Sequence, residues 1–354
     1  NQNMVNPDKT TQERIKKDNK NITSFGCTSN GEESFCYTLR NSNGLEIAII
    51  DYGATIQSIK MPISSGKKVD VVLGFNHVSD YEKSFTLSGA PFIGAVVGRY
   101  AGRIKNGSFK LNDDVFQLNR NLGQHHLHGG KTNFSNSFWN VISHSNNCIT
   151  LEYISKDLEE NYPGDLTVQV TYNLSDIDEL EITYTAKTTK DTIINLTQHS
   201  YFNLDGHEKT IENQKLQVTC SEILETDEEN VPTGNFSNII DTSFDFLTFK
   251  KCPTKIDTSF VISDNSTSVA TLKSTENKIQ MQVFTNQPSV HIYVGGNCEN
   301  KIIGKNNVNY HALSGICFET QNYPDAPNHS NFPNAILRKD ETYNQKTSFK
   351  FEKI

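Results

Sequence analysis

Nothing in this 354-residue chain approaches the ~20 consecutive apolar residues that an α-helix needs to cross a bilayer. Its longest apolar stretches, such as Ala95–Val97 and Ile47–Ile50, have the length of strands, so no membrane partner is expected. The chain also lacks a basic excess: 33 Lys and Arg stand against 41 Asp and Glu, a formal net charge of −8. Phosphate backbones are held by concentrated positive charge, and the densest basic run, Arg14–Lys20, reads as a short solvated segment. No nucleic-acid partner is expected. The seven cysteines (27, 36, 148, 220, 252, 298 and 317) form no C-x-x-C pair and no dense cluster. That argues against a disulfide scaffold and against a structural zinc site. Cys27 and Cys36 are spaced to pair across a hairpin, although two buried thiols is the plainer reading. Helical periodicity is scarce, with short helices expected only near Ser79–Lys83 and Ser221–Leu224. A Gly-rich phosphate loop, a G-x-S-x-G elbow and an H-E-x-x-H pair are all missing.

What recurs instead is a period of two. Leu166, Val168, Val170, Tyr172 and Leu174 alternate with polar residues, and so do Leu180, Ile182, Tyr184 and Ala186. The Asp176–Glu179 turn between them predicts a hairpin. Further strands are predicted at Leu45–Ile50, Ala54–Met61, Ile279–Thr285, Ser289–Val294 and Ser348–Glu352. Such alternation marks strands with one face on a core and the other against polar surroundings. With no composition break and no fixed-period repeat, the expected fold is all-β, one large antiparallel β-sandwich domain over residues 23–354. Residues 1–22 are polar and read as a flexible leader. The chain opens on Asn1, and Asn-x-Ser/Thr triplets occur at Asn21, Asn106, Asn133, Asn173, Asn195, Asn235, Asn265 and Asn328. These leave both a cytoplasmic location and export after loss of an N-terminal signal open.

Three polar clusters interrupt the strand patterns. In Asn121–Gly130 a histidine precedes two glycines, which suggests an imidazole on a tight turn. A metal site from His125, His126 and His128 is the weaker reading, since no nearby Asp, Glu or Cys completes it. In Asn195–Gly206, alternation puts Asn195, Thr197, His199 and Tyr201 on one face, the composition of a sugar site or of a hydrated outer face. In Ser314–Asn328, Glu319 and Gln321 share a face while Ile316 and Phe318 point the other way. A carboxylate in an apolar strand is costly unless it is paired or titrates usefully. Together the clusters point to imidazoles and a carboxylate converging on a neutral polar ligand, and general acid–base chemistry is the class that remains.

These residues resemble the aldose 1-epimerase (galactose mutarotase) family from about Thr23 to Lys353. Its motifs occur in order: Asp51–Thr55, Val71–Phe75, Gly98–Ile104, Leu127–Gly130, Tyr162–Asp165, His199–Leu204, Val231–Gly234, Phe244–Phe246 and Glu319–Asp325. The resemblance implies a galactose mutarotase-like supersandwich with an open sugar cleft, no cofactor and no metal. It implies Glu319 as catalytic base and His199 as catalytic acid, with Arg103, His128, Asp257 and Gln287 binding substrate. Many members have Asn where this chain has Gly102, and His where it has Thr258, departures that bear on sugar preference. The implied partner is a small-molecule aldose, with the chain a monomer or homodimer. A hexose-6-phosphate 1-epimerase and a non-catalytic sugar-binding relative are the alternatives.

Overall fold

The computed structural model describes residues 19–298 and 302–354. Of the expected leader, residues 1–18 lie outside this range, and Ile22 already opens the first strand, Ile22–Cys27. The Val-, Ile-, Thr- and Tyr-rich alternating segments form strands because branched and aromatic side chains pack well on a pleated, half-buried surface. The predicted hairpin is present in full register, Leu166–Leu174 pairing with Glu179–Thr188 from Leu166 opposite Thr188 to Leu174 opposite Leu180. Ile279–Thr285 and Ser289–Val294 begin and end where the pattern puts them.

The hairpin strands and Ile279–Thr285, but not Ser289–Val294, lie in a nine-stranded antiparallel sheet, whose centre is Leu166–Leu174, Glu179–Thr188, Tyr343–Lys353 and Ile279–Thr285. A six-stranded sheet runs Tyr201–Phe202, Ile316–Gln321, Ser289–Val294, Ile256–Val261, Glu222–Thr226 and Pro232–Asn238. A five-stranded meander covers Ile22–Asp70. One core joins the inner faces of all three: Val170, Ile182, Met281 and Phe349 from the nine-stranded sheet, Phe260, Ile292 and Phe318 from the six-stranded sheet, and Ile47 and Ile59 from the meander. Among the described residues the one α-helix is Val78–Ser84, close to the short helix predicted there. The other predicted helix is absent, because Glu222–Thr226 is a strand. Four residues are too few to nucleate a helix alone, and the neighbouring Ile256–Val261 and Pro232–Asn238 strands offer ready hydrogen-bond partners. No helix among the described residues is long and apolar enough to cross a membrane. All seven cysteines are free; Cys36 is buried and Cys27 exposed, so the two do not pair.

Several motif residues build this frame. Arg99 is 2 % exposed, and its guanidinium donates to the Ser155 hydroxyl (2.9 Å) and to the carbonyls of Ser155 (2.9 Å), Pro163 (2.8 Å) and Gly164 (2.6 Å). Pro163 and Gly164 belong to the Tyr162–Asp165 motif, which exists here largely to accept that cation. Burial pulls the Arg99 pKa down to about 10, still protonated at neutral pH. Gly129 has φ +83°, and a Cβ there would sit 1.9 Å from the Gly98 carbonyl oxygen, so the His-Gly-Gly turn can lie against the Gly98–Arg99 segment only without a side chain. Arg99→Met strips partners from several buried carbonyls at once and should lower the unfolding free energy by roughly 3 kcal/mol or more. The urea midpoint should fall with the slope of the transition unchanged.

Candidate active site

The six-stranded sheet has two unlike faces. Along Ser289–Val294, the even-numbered Val290, Ile292 and Val294 enter the core, which turns His291 and Tyr293 outward. Along Ile316–Gln321, Ile316 and Phe318 enter the core, which turns Glu319 and Gln321 the same way. Antiparallel register then sets His291 opposite both Ser259 and Glu319, and Asp257 opposite Tyr293. This outer face floors a small cleft open to solvent. Its walls are Gly102, Arg103, Leu127 and His128 on one side, with Ala90, His199 and Pro324 completing it.

Each wall is held by the scaffold. The two-residue ladder of Arg103–Ile104 with His126–Leu127 ties two motifs together. His128 Nδ1 accepts the Gly102 N–H at 3.0 Å, so the proton of the neutral ring sits on Nε2, which lies 3.7 Å from Glu319 Oε1. Burial, followed by the nearby His199, Arg103 and His291, holds the His128 pKa well below the ordinary imidazole value. His199 Nε2 lies 3.3 Å from the same Glu319 oxygen, and its Nδ1 lies 3.6 Å from Cys317 Sγ. Burial and then the Glu319 charge push the Cys317 thiol well up, so it faces His199 as a neutral S–H. The Phe92 ring, at φ +54°, stacks on His199 and meets His128 edge-on.

The polar inventory of the cleft is incomplete in a telling way. Glu319 is 1 % exposed, yet among the described residues its Oε1 has no hydrogen-bond partner, and neither do Arg103 Nε and Gln321 Oε1. Buried polar atoms are almost always satisfied, so three orphans around one cleft are groups awaiting a polar ligand. His128, His199 and Glu319 also bring one ligand atom each within 4.8 Å of one another. A metal on His128 Nε2 would have to displace the proton that the Gly102 contact places there, which makes this a poor donor set for an ion. His125, His126 and His128 do not converge: His125 accepts the Asn106 N–H and contacts Glu229, while His126 is bound by the Asn119 carbonyl and the Tyr162 hydroxyl.

Of the residues singled out from sequence, Glu319, His199, Arg103, His128 and Asp257 meet in this cleft. Gln287 does not. It sits with Pro288 in the turn between a strand of the nine-stranded sheet and one of the six-stranded sheet, its amide donating to Asn286 Oδ1 at 2.9 Å. The pocket face is taken four residues later by His291, which the sequence reading missed together with Tyr293. The alternation of Ser289–Val294 carried that signal, because His291 interrupts an otherwise apolar strand. The supposed polar face of Asn195, Thr197, His199 and Tyr201 is also corrected. Thr197–Gln198 pairs with Val96–Val97, Tyr201–Phe202 pairs with Ile316–Gln321, and the chain breaks between them at His199. Asn195 and Thr197 are buried brackets: Asn195 binds Ala101 and Asn322, and Thr197 binds the Thr320 carbonyl. Tyr201 donates to Pro91 and packs behind His199. Gly102 has φ +88°, and a side chain on it would press on Pro324. Thr258 is paired with Ile292, on the side of its strand away from Asp257.

The chain matches known proteins along most of its length. Residues 36–350 match the family described as aldose 1-epimerase. The chain is 36 % identical over 321 residues to the galactose mutarotase of Mus musculus, covering 88 % of this chain and 92 % of that protein. It is 30 % identical over 331 residues to the aldose 1-epimerase of Escherichia coli K12, covering 89 % and 94 %. Among solved structures, an aldose epimerase homologue from C. elegans superposes with a TM-score of 0.83 at 28 % identity, covering 91 % of this chain and 99 % of that one. Galactose 1-epimerase from Lactobacillus acidophilus superposes at 0.81 and 27 %, covering 94 % and 98 %. With matches along almost its whole length, the chain belongs to the aldose 1-epimerase family.

Proposed function

We propose that this isomerase interconverts the α and β anomers of a free aldose with Glu319 as general base and His199 as general acid. The observation that carries the assignment is the buried, unpartnered Glu319 Oε1, set 3.3 Å from His199 Nε2. Both reacting oxygens of a cyclic aldose are bonded to one carbon, so an acid and a base this close can serve both at once. Glu319 takes the proton of the C1 hydroxyl while His199 gives its Nε2 proton to the ring oxygen. The bond from C1 to the ring oxygen breaks and a C1 carbonyl forms. Rotation about C1–C2 presents the other carbonyl face, and reclosure returns both protons with the roles reversed. His128 Nε2–H and the Arg103 guanidinium are placed to stabilise charge on the carbonyl oxygen. Asp257 accepts from sugar hydroxyls, and no step calls for a metal.

A phosphosugar substrate is disfavoured by the lining. Arg103 is its one permanent cation among the described residues and is engaged with Asp257 (Nη2 to Oδ2, 3.4 Å), and two carboxylates face the same space.

Polarimetry on freshly dissolved α-D-glucose and α-D-galactose tests the reading. Decay of rotation should accelerate over buffer and stay unchanged with chelator; folded protein that accelerates neither sugar would sink it. Glu319→Gln and His199→Asn should each lower kcat by about 10²–10⁴-fold with little change in thermal stability. An acid–base pair gives a bell-shaped pH profile, and each variant should erase one limb of it.

A further inference from the structure

His291 has no part in the proton transfers above, yet it is a buried titratable group on the cleft floor. Its two ring nitrogens are fully engaged, Nε2 with Asp257 Oδ1 at 2.5 Å and Nδ1 with Ser259 Oγ at 2.7 Å. No nitrogen is left for a sugar hydroxyl, so any effect on the reaction passes through its neighbours. Those are Asp257 and Ser259 on one flanking strand, Glu319 directly opposite on the other, and Arg103, His128 and His199 across the cleft.

We propose that His291 is a positioning residue, an imidazolium that clamps the sugar-binding carboxylate of Asp257 from behind and supplies positive charge beside Glu319. The clamp is geometric. Asp257 Oδ1 is tied to His291 and Oδ2 is approached by Arg103, which fixes the carboxylate plane relative to the cleft. The charge follows from burial. Removal from water disfavours protonation of His291, but the Asp257 carboxylate outweighs this and holds the imidazole pKa above its ordinary value. Burial would likewise raise the Asp257 carboxyl, and the bond to His291 and the Arg103 charge bring it well below the usual range. Residues directly opposite in an antiparallel pair have Cβ atoms about 4.5–5.5 Å apart, so the cation lies close to Glu319.

Two consequences separate a positioning role from a merely structural one. Without the cation the cleft floor loses positive charge beside the base, and the acid limb of kcat/KM moves upward. Without the clamp, Asp257 loses its orientation and KM rises. His291→Gln keeps an N–H donor for Asp257 but carries no charge, whereas His291→Leu has neither.

The test is a pH–rate series on both variants by polarimetry, alongside urea unfolding. His291→Gln should move the acid limb upward with KM changed less than about threefold. His291→Leu should show the same limb shift and a KM raised about tenfold or more, the loss expected when a hydrogen bond to a charged group is removed. An acid limb that stays in place in both folded variants overturns the proposal, as does a His291→Leu KM equal to that of the unaltered protein. The proposal rests on the epimerase reading, and the two failures are distinct. An unaltered protein that turns over neither sugar overturns the reading itself, while normal turnover with unmoved variant profiles overturns only the role of His291.

Discussion

A carboxylate oxygen taken out of water without a hydrogen bond costs folding free energy, and Glu319 Oε1 is in that condition. Glu319 lies mid-strand, its neighbours Phe318 and Thr320 anchored in the sandwich, Thr320 through Thr347 of the facing sheet at 2.7 Å. The side chain therefore cannot swing out to find water. On the proposed reading, fixing the base without a hydrogen bond and letting the substrate complete it is electrostatic preorganisation, in which folding has already met the cost of desolvation.

The same logic explains why so many motif residues never touch the cleft. Asn195 ties the Ala101 carbonyl to both ends of Asn322, and thereby the Arg103 wall to the Glu319 strand. Asp325 accepts from the Lys105 N–H, and its own N–H reaches the Arg103 carbonyl at 2.7 Å. Arg99 gathers carbonyls from two segments, Ser155–Lys156 and Pro163–Gly164. These brackets sit behind the catalytic groups and hold short irregular segments, which have little ladder pairing of their own, in one arrangement.

Charge in the cleft is arranged in alternation. Arg103 and His291 flank Asp257, His128 is kept neutral by burial and by the cations around it, and Glu319 faces both imidazoles. Tautomers are set from the rear: the Gly102 amide directs the His128 proton toward Glu319, while His199 has only the soft Cys317 thiol behind it. In the proposed reaction, a weak partner of that kind lets His199 give and regain its outward proton without a strong rear bond resisting either state.

Residue pattern alone carries the strand-rich architecture, because alternation with period two is a local property written into Leu166–Leu174 and Ile279–Thr285. It also singles out Glu319, His199 and His128, because polar residues in apolar or glycine-rich settings stand out without coordinates, whereas Arg103 and Asp257 enter only through the family resemblance. It misleads where alternation is taken past a break. The Asn195–Tyr201 face dissolves at His199 because the chain there leaves one partner strand for another, and partner choice is non-local. Gln287 comes from the family resemblance and lies off the cleft, while the pattern passes over His291 for a non-local reason. Which face of Ser289–Val294 meets the cleft is decided by packing against a sheet whose strands span Asn140 to Lys353. Convergence of His199, His128 and Glu319 on one oxygen is likewise a product of tertiary structure, since angstrom-scale placement comes from brackets contributed by distant turns.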